Sequence, residues 1–294
     1  MTALRQQMID AMVVRGLAVR TQEAYVDALA RMARHFGRSP AQLDAAQIEG
    51  YMLHLSRDLH RSFSTINHVA SASRFLFRHV LKHDDRGLEP PVARSPQIKP
   101  ELLGRAQIVQ LLAACKSPMM RMLLQVLYAS GLRVSEGCRL RVRDIDSSAD
   151  RMCLRVVQGK GSADRYTLLS PTLLGLLREH CRRTQCHRRE VDWLFANPRT
   201  AEPVSAETVQ RHYAAAKQAA RIGKGGSTHT LRHCSATHLL EAGVDLHTIS
   251  TLLGHGHIET TRRYLHLISP QFKPPKNCDP LDLLAALRNY ATDN

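Results

Sequence analysis

Through the first ninety residues, apolar side chains recur at helical spacing between polar ones. Leu4, Met8, Met12 and Val13 form a stripe that ends at Gly16. A second stripe, Tyr25, Leu29, Met32 and Phe36, stops at Gly37, and Thr21 is placed to cap its start. Asp44 and Gln47 have the spacing of a capping box that opens a third helix carrying Ile48, Met52 and Leu55. A fourth helix is predicted from about Ser64 to Lys82, with Ile66, Val69, Ser73, Leu76 and Val80 on one side. Four helices with short connections predict a small bundle.

The pattern breaks at GLEPPVARSPQIKP (87–100), where four prolines fall within eleven residues. Proline removes backbone donors and favours extended chain, so this stretch reads as a linker. Beyond it the pattern is mixed. Helical periodicity covers about 105–115 and 119–129, then resumes near 171–183, 205–221, 230–242 and 245–253. Two strand-like runs, 152–157 and 165–169, flank Gly159-Lys160-Gly161 and predict a hairpin. A last apolar helix is expected over 280–291. The chain is therefore mainly α with a small β component. Its expected division is a helical domain at 1–88, a linker at 89–103, a mixed domain at 104–272 and a tail at 273–294.

Charge narrows the partner. Lys and Arg number 41 against 26 Asp and Glu in 294 residues, a formal net charge of +15. Residues 1–90 hold 12 basic and 9 acidic side chains, so most of the excess lies in the second part of the chain. A surplus of this size calls for a polyanion, either nucleic acid or an anionic membrane surface. No apolar run reaches the roughly 18–20 residues that span a bilayer, and the opening MTALRQQMIDAMVVRG lacks a signal-peptide core. Seven cysteines, an odd number without CxxC, fit reduced thiols. The expected location is the cytoplasm, with no membrane partner. In the first ninety residues Arg15, Arg20, Arg31, Arg57, Arg61, Arg74 and Arg78 are expected on the surface. The segment REHCRRTQCHRRE (178–190) reads equally as a DNA-backbone contact or as a solvated helix face.

Five local motifs then follow in order: SGLRVSE (130–136), QGKGSADRY (158–166), HTLRH (229–233), LLGHGHIETT (252–261) and RRYLH (262–266). Arg133 follows a Gly turn at the mouth of a helix, and Lys160 sits at a hairpin tip. His229 and Arg232 share one helix face at i, i+3. Tyr264 comes nine residues after His255. Two arginines, each with a rigid fork of donors, can clamp the non-bridging oxygens of one phosphate. A nearby histidine can take a proton near neutral pH, which a tyrosine hydroxyl requires before it attacks. The set describes phosphodiester chemistry without a metal. His229 and His233 at i, i+4, and the looser Cys181, Cys186 and His187, lack the tight spacing of zinc ligands, and Arg232 would repel a cation. No cofactor and no small-molecule substrate are expected.

On these residues the chain resembles the tyrosine recombinase family, of phage integrase and Xer type. That signature is an Arg in GLRxSE, a hairpin Lys, an HxxRH box, an LGH box and a Tyr shortly after it. The resemblance implies a SAM-like helical DNA-binding domain followed by a mixed catalytic domain. It implies that Arg133 and Arg232 hold the scissile phosphate and that Lys160 protonates the leaving 5′-oxygen. His229 would help deprotonate Tyr264, His255 would hydrogen-bond the phosphate, and Tyr264 would form a 3′-phosphotyrosine without ATP. Glu136 would orient its neighbours rather than react, or be a simple ion-pair partner. Two positions depart from the family pattern. Gly137-Cys138 stands where an apolar residue such as Leu is common, and Cys234 where Ser or Thr is frequent.

The resemblance further implies a C-shaped clamp on double-stranded DNA, and a homo-tetramer on paired sites exchanging strands through a Holliday junction. The tail helix, with Leu281, Leu283, Leu284 and Leu287, would dock on a neighbouring protomer or fold back on its own domain. Integrase, resolvase and transposase roles share this chemistry, as does a mobile-element setting. An integron integrase is disfavoured, because no long insertion separates Lys160 from His229. A type IB topoisomerase-like enzyme and a catalytically inactive DNA-binding relative are the alternatives, the second opposed by the intact residue set.

Overall fold

The computed structural model describes residues 2–83, 88, 101–148, 150–157, 164–186 and 193–254. The chain divides into two units, Met1–Ile98 and Lys99–Asn294. The proline-rich linker segment 89–100 and the predicted tail helix lie outside the described residues.

In the first unit, α1 (Ala3–Val14) buries Met8 and Met12 one turn apart. Val13 does not join them and is 58% exposed. Each residue turns the helix by about 100°, so the position after Met12 leaves the buried line. Helix α2 (Val19–Phe36) buries Ala28, Leu29 and Met32 and ends at Gly37 in the left-handed conformation. Thr21 does not cap it. The chain enters the helix at Ala18, whose carbonyl already accepts from the backbone N–H groups of Thr21 and Gln22.

The capping box of α3 (Ala45–Arg57) forms in both directions. Gln47 N donates to Asp44 Oδ1 at 2.8 Å, and Asp44 N donates to Gln47 Oε1 at 3.1 Å. Helix α4 (Phe63–Phe75) is capped by Ser62 and widens into π winding over Leu76–Leu81, where a uniform helix was predicted. It stops at Lys82, which has a left-handed φ of 58°. Met32, Ile48, Ile66, Val69 and Leu76 meet in the bundle core. Of the seven arginines expected on the surface, Arg74 is half-buried and the other six are exposed.

The second unit is built around one apolar helix. Its helices are α5 (Arg105–Ala114), α6 (Pro118–Ser130), α7 (Val134–Cys138), α8 (Pro171–Thr184), α9 (Ala206–Ala219), α10 (His229–Glu241) and α11 (Leu246–Leu253). The six longer ones lie within two residues of the predicted spans. Every residue of α6 from Met122 to Ser130 is buried, the mark of a helix packed on all sides. It contacts α5, α7, α8, α9 and α10.

The predicted hairpin is part of a three-stranded antiparallel sheet, β1 (Ile145–Asp146), β2 (Cys153–Val156) and β3 (Arg165–Leu168). Register pairs Ile145 with Leu154 and Leu154 with Thr167. The two-residue β1 carries no periodicity and was invisible to pattern reading. The turn between β2 and β3, with Lys160, lies outside the described residues. On α8, Arg178, Arg182 and Arg183 are exposed and Glu179 pairs with the last two. In the described part of the 178–190 segment these arginines face outward while His180 and Cys186 are buried, which fits either reading.

The unusual Gly137-Cys138 pair is explained by close helix packing. A Cβ at Gly137 would lie 2.6 Å from Leu127 Cδ2 and 3.0 Å from Leu123 Cδ1 of α6, and Cys138 is buried beside it. Cys234 is a buried packing residue that also accepts a hydrogen bond, from Leu103 N at 3.2 Å. Gly137→Ala should therefore overpack the α6–α7 contact and cost about 1–2 kcal/mol in urea unfolding. A variant within about 0.5 kcal/mol of the parent, the usual range for surface substitutions, would contradict this packing account.

Candidate active site

A helix leaves its last carbonyls without partners inside the helix. At the end of α11, three successive carbonyls are met by three arginines from three different elements. Arg165 Nε on β3 donates to Leu252 O at 3.2 Å. Arg232 Nη2 on α10 donates to Leu253 O at 2.6 Å. Arg133 Nη2, at the cap position of α7, donates to Gly254 O at 3.4 Å. The negative end of the α11 dipole thus faces a cluster of guanidinium groups.

This approach requires glycine at two turns. Gly254 has φ +64°, and a Cβ there would lie 2.5 Å from Arg165 Cδ and 2.8 Å from its Nε. Gly131 has φ +62°, and a Cβ there would lie 2.6 Å from Leu253 Cδ2. Its carbonyl accepts from Arg232 Nη1 at 2.6 Å. The glycines of SGLR and LLGH let the α6–α7 turn and the end of α11 close on one another.

Glu136 organises two of the arginines. Its Oε2 accepts from Arg133 N at 2.8 Å and its Oε1 from Arg133 Nη1 at 2.7 Å. Arg165 binds the same carboxylate with two forks, Nη1 to Oε1 at 2.8 Å and Nη2 to Oε2 at 2.7 Å. Burial opposes ionisation of Glu136, whose side chain is 7% exposed. The hydrogen bonds from Arg165 and Arg133 overcome that opposition and hold its carboxyl at about 2. Two guanidinium groups share one carboxylate, so this pair keeps an excess positive charge.

Arg232 is buried on α10, held by the carbonyls of Gly131 and Leu253. One turn earlier His229 opens the same helix, on its solvent-facing side. Its imidazole is held below the ordinary range. The protein around the ring disfavours its charge, and the Arg232 and Arg133 cations add to the effect, with Glu136 opposing. These effects together favour the uncharged form of the ring.

The structure brings together four of the sequence-predicted residues, Arg133, Glu136, His229 and Arg232. The other three, Lys160, His255 and Tyr264, lie outside the described residues. Sequence reasoning missed Arg165, although it lies inside QGKGSADRY. Strand alternation gives the signal. Arg165 shares a face of β3 with Thr167, whose hydroxyl donates to Ser130 O at 2.7 Å in the interior. An arginine on the inward face of a strand demands a buried carboxylate. Among the described residues, no three His, Cys, Asp or Glu side chains gather to hold a metal.

The end of α11 is thus ringed by arginines, with His229 near them, on a mainly helical two-unit chain. Residues 101–269 match the phage integrase family, and residues 4–85 match its N-terminal SAM-like domain. The chain is 38% identical over 268 residues to a putative integrase/recombinase, y4qK, of Sinorhizobium fredii, covering 91% of this chain and 85% of that one. It is 31% identical over 283 residues to tyrosine recombinase XerD of Pseudomonas aeruginosa, covering 90% and 92%. Among solved structures, a lambda integrase dimer bound to a COC′ core site shares the fold with a TM-score of 0.71. There the identity is 17% and the coverage 94% and 99%. A lambda integrase tetramer bound to a Holliday junction matches with a TM-score of 0.68, at 18% identity, over 87% of this chain and 77% of that one. The chain belongs to the phage integrase family and is a tyrosine recombinase, an enzyme that cleaves and rejoins DNA strands.

Glu136 makes a pH prediction. Its folded value of about 2 lies below the ordinary 4.5, so it contributes stability that is full above about pH 4.5. That contribution is lost as pH falls toward 2, and it corresponds to about 3 kcal/mol at most. Urea unfolding of the parent should weaken between pH 5 and 3 more steeply than that of Glu136→Gln. Equal slopes would show that Glu136 is not held ionised by its arginines.

Proposed function

We propose that the chain performs site-specific recombination through a 3′-phosphotyrosine at Tyr264, with neither metal nor ATP. The observation that carries this reading is the arginine cluster at the end of α11, with excess positive charge and His229 beside it. Arg133 and Arg232 hold the non-bridging oxygens of the scissile phosphate and neutralise charge that grows in the transition state. His229 takes the phenolic proton of Tyr264, whose oxygen attacks phosphorus. Lys160 gives a proton to the departing 5′-oxygen, and His255 hydrogen-bonds the phosphate. One phosphoester bond forms as another breaks, so the energy of the broken bond stays in the phosphotyrosine. Attack by a new 5′-hydroxyl then reverses the step and joins the exchanged strand.

The partner is double-stranded DNA, matched by the +15 charge of the chain. The working assembly is a homo-tetramer on paired sites, in line with the tetramer that the lambda integrase forms on a Holliday junction. The domain assignment that goes with this reading is a core-binding domain at 1–88, a linker at 89–103, a catalytic domain at 104–272 and a docking tail at 273–294. The site of action is the cytoplasm, and no helix among the described residues is long and apolar enough to cross a membrane. The topoisomerase-like and inactive readings draw no support from relatives named integrases and recombinases.

The test uses a duplex selected by the protein from a random pool and nicked near its centre. Cleavage should leave a covalent protein–DNA band that is absent with Tyr264→Phe. A band surviving in that variant moves the nucleophile elsewhere. Arg232→Lys should lower the cleavage rate by about 10²–10³, because the charge remains but the two-pronged geometry is lost. A rate within a few-fold of the parent would remove Arg232 from the clamp.

A further inference from the structure

The residue that joins the site's parts most closely is one that the recognition motifs do not single out. Arg165 sits at the start of β3 with its side chain 12% exposed, and three of its nitrogens are engaged. Two grip both oxygens of Glu136, and the third holds Leu252 O at the end of α11. Glu136 in turn grips Arg133 through both its backbone N–H and its guanidinium. One side chain therefore spans the sheet, α7 and α11.

We infer that Arg165 is a positioning residue for strand cleavage, fixing Arg133 through Glu136 while it holds the end of α11. The inference rests on the recombinase reading above and assigns Arg165 no contact with DNA. Its planar fork is what the role needs. Lysine keeps the charge but offers no parallel pair of N–H groups to the carboxylate, and it has no donor that reaches Leu252 at the same time. With Arg165 gone, Glu136 keeps one cation, and among the described residues no other side chain of β3 hydrogen-bonds it. Arg133 then loses the fixed anchor that aims its remaining N–H groups. Gly254 gives independent support. Its missing Cβ leaves the space through which the Arg165 side chain reaches the carboxylate, since a methyl there would meet Cδ, Nε and Cζ at 2.5, 2.8 and 3.2 Å.

The experiment is single-turnover cleavage of the nicked duplex at rising protein concentration, on the full chain, with folding checked by circular dichroism. Arg165→Lys should lower the maximal rate by about 10–100-fold, the usual cost of losing a residue that orients a reacting group. The protein concentration giving half the maximal rate should stay within about three-fold of the parent, because one misaimed phosphate contact is a small part of the binding to the duplex. In a Glu136→Gln background the same change should cost no more than about three-fold further, since the two residues act as one unit. Should Arg165→Lys fail to fold, Gly254→Ala displaces the same side chain without removing it and should give the same split. A maximal rate equal to the parent's, a change confined to half-saturation, or a full additive loss in the double variant would each overturn the inference. If the parent cleaves nothing, it is the recombinase chemistry that fails. If the parent cleaves and Arg165→Lys matches it, only the role of Arg165 fails.

Discussion

The site depends on one constraint: the C-terminal carbonyls of α11 must find donors, and the donors that meet them are arginines. Helix ends normally turn to water, a side-chain cap or a tightened last turn. Here β3, the α7 cap and α10 each send a guanidinium to one of three consecutive carbonyls. Helix dipole and cation attract, so the contacts that end the helix also gather positive charge. Fold and chemistry share these bonds. Moving α11 would move the arginines with it, and the segment that carries His255 and Tyr264 begins where α11 ends.

Gathering cations is costly unless something offsets their repulsion, and Glu136 does so only in part. Its carboxylate binds two guanidinium groups and is held ionised at about 2. One carboxylate between two cations fixes geometry without cancelling their positive charge. Burial lowers the pKa of the nearby His229, and the same cations lower it further, so the cluster also disfavours a charged imidazole.

Much of this was legible in the sequence. The 3.6-residue period placed the long helices, because their buried stripes run for several turns, and Asp44 with Gln47 marked a helix start by a reciprocal hydrogen bond. That Arg133, Glu136, His229 and Arg232 would come near one another was legible from their motifs, with Arg133 at a helix mouth and His229 one turn before Arg232. What escaped were features set by neighbours distant in sequence. Strand β1 is two residues long and exists only because β2 pairs with it. The π winding after Phe75 and the early start of α2 at Val19 depend on packing and backbone donors, which leave no periodic trace. Arg165 escaped because its partner Glu136 lies 29 residues away. Only strand alternation, which turns it inward beside Thr167, marks it. The role of Gly137 likewise appears only once Leu123 and Leu127 are seen against it.

The central claim is that the arginine-lined end of α11 fixes the phosphate, so that attack comes from the segment immediately following that helix. The most direct measurement is to digest the trapped covalent protein–DNA complex and identify the nucleotide-bearing peptide by mass spectrometry. The account predicts the nucleotide on Tyr264. Tyr166, beside Arg165 on β3 and 56% exposed, is the informative alternative. Nucleotide on Tyr166, or on any residue other than Tyr264, would contradict the account.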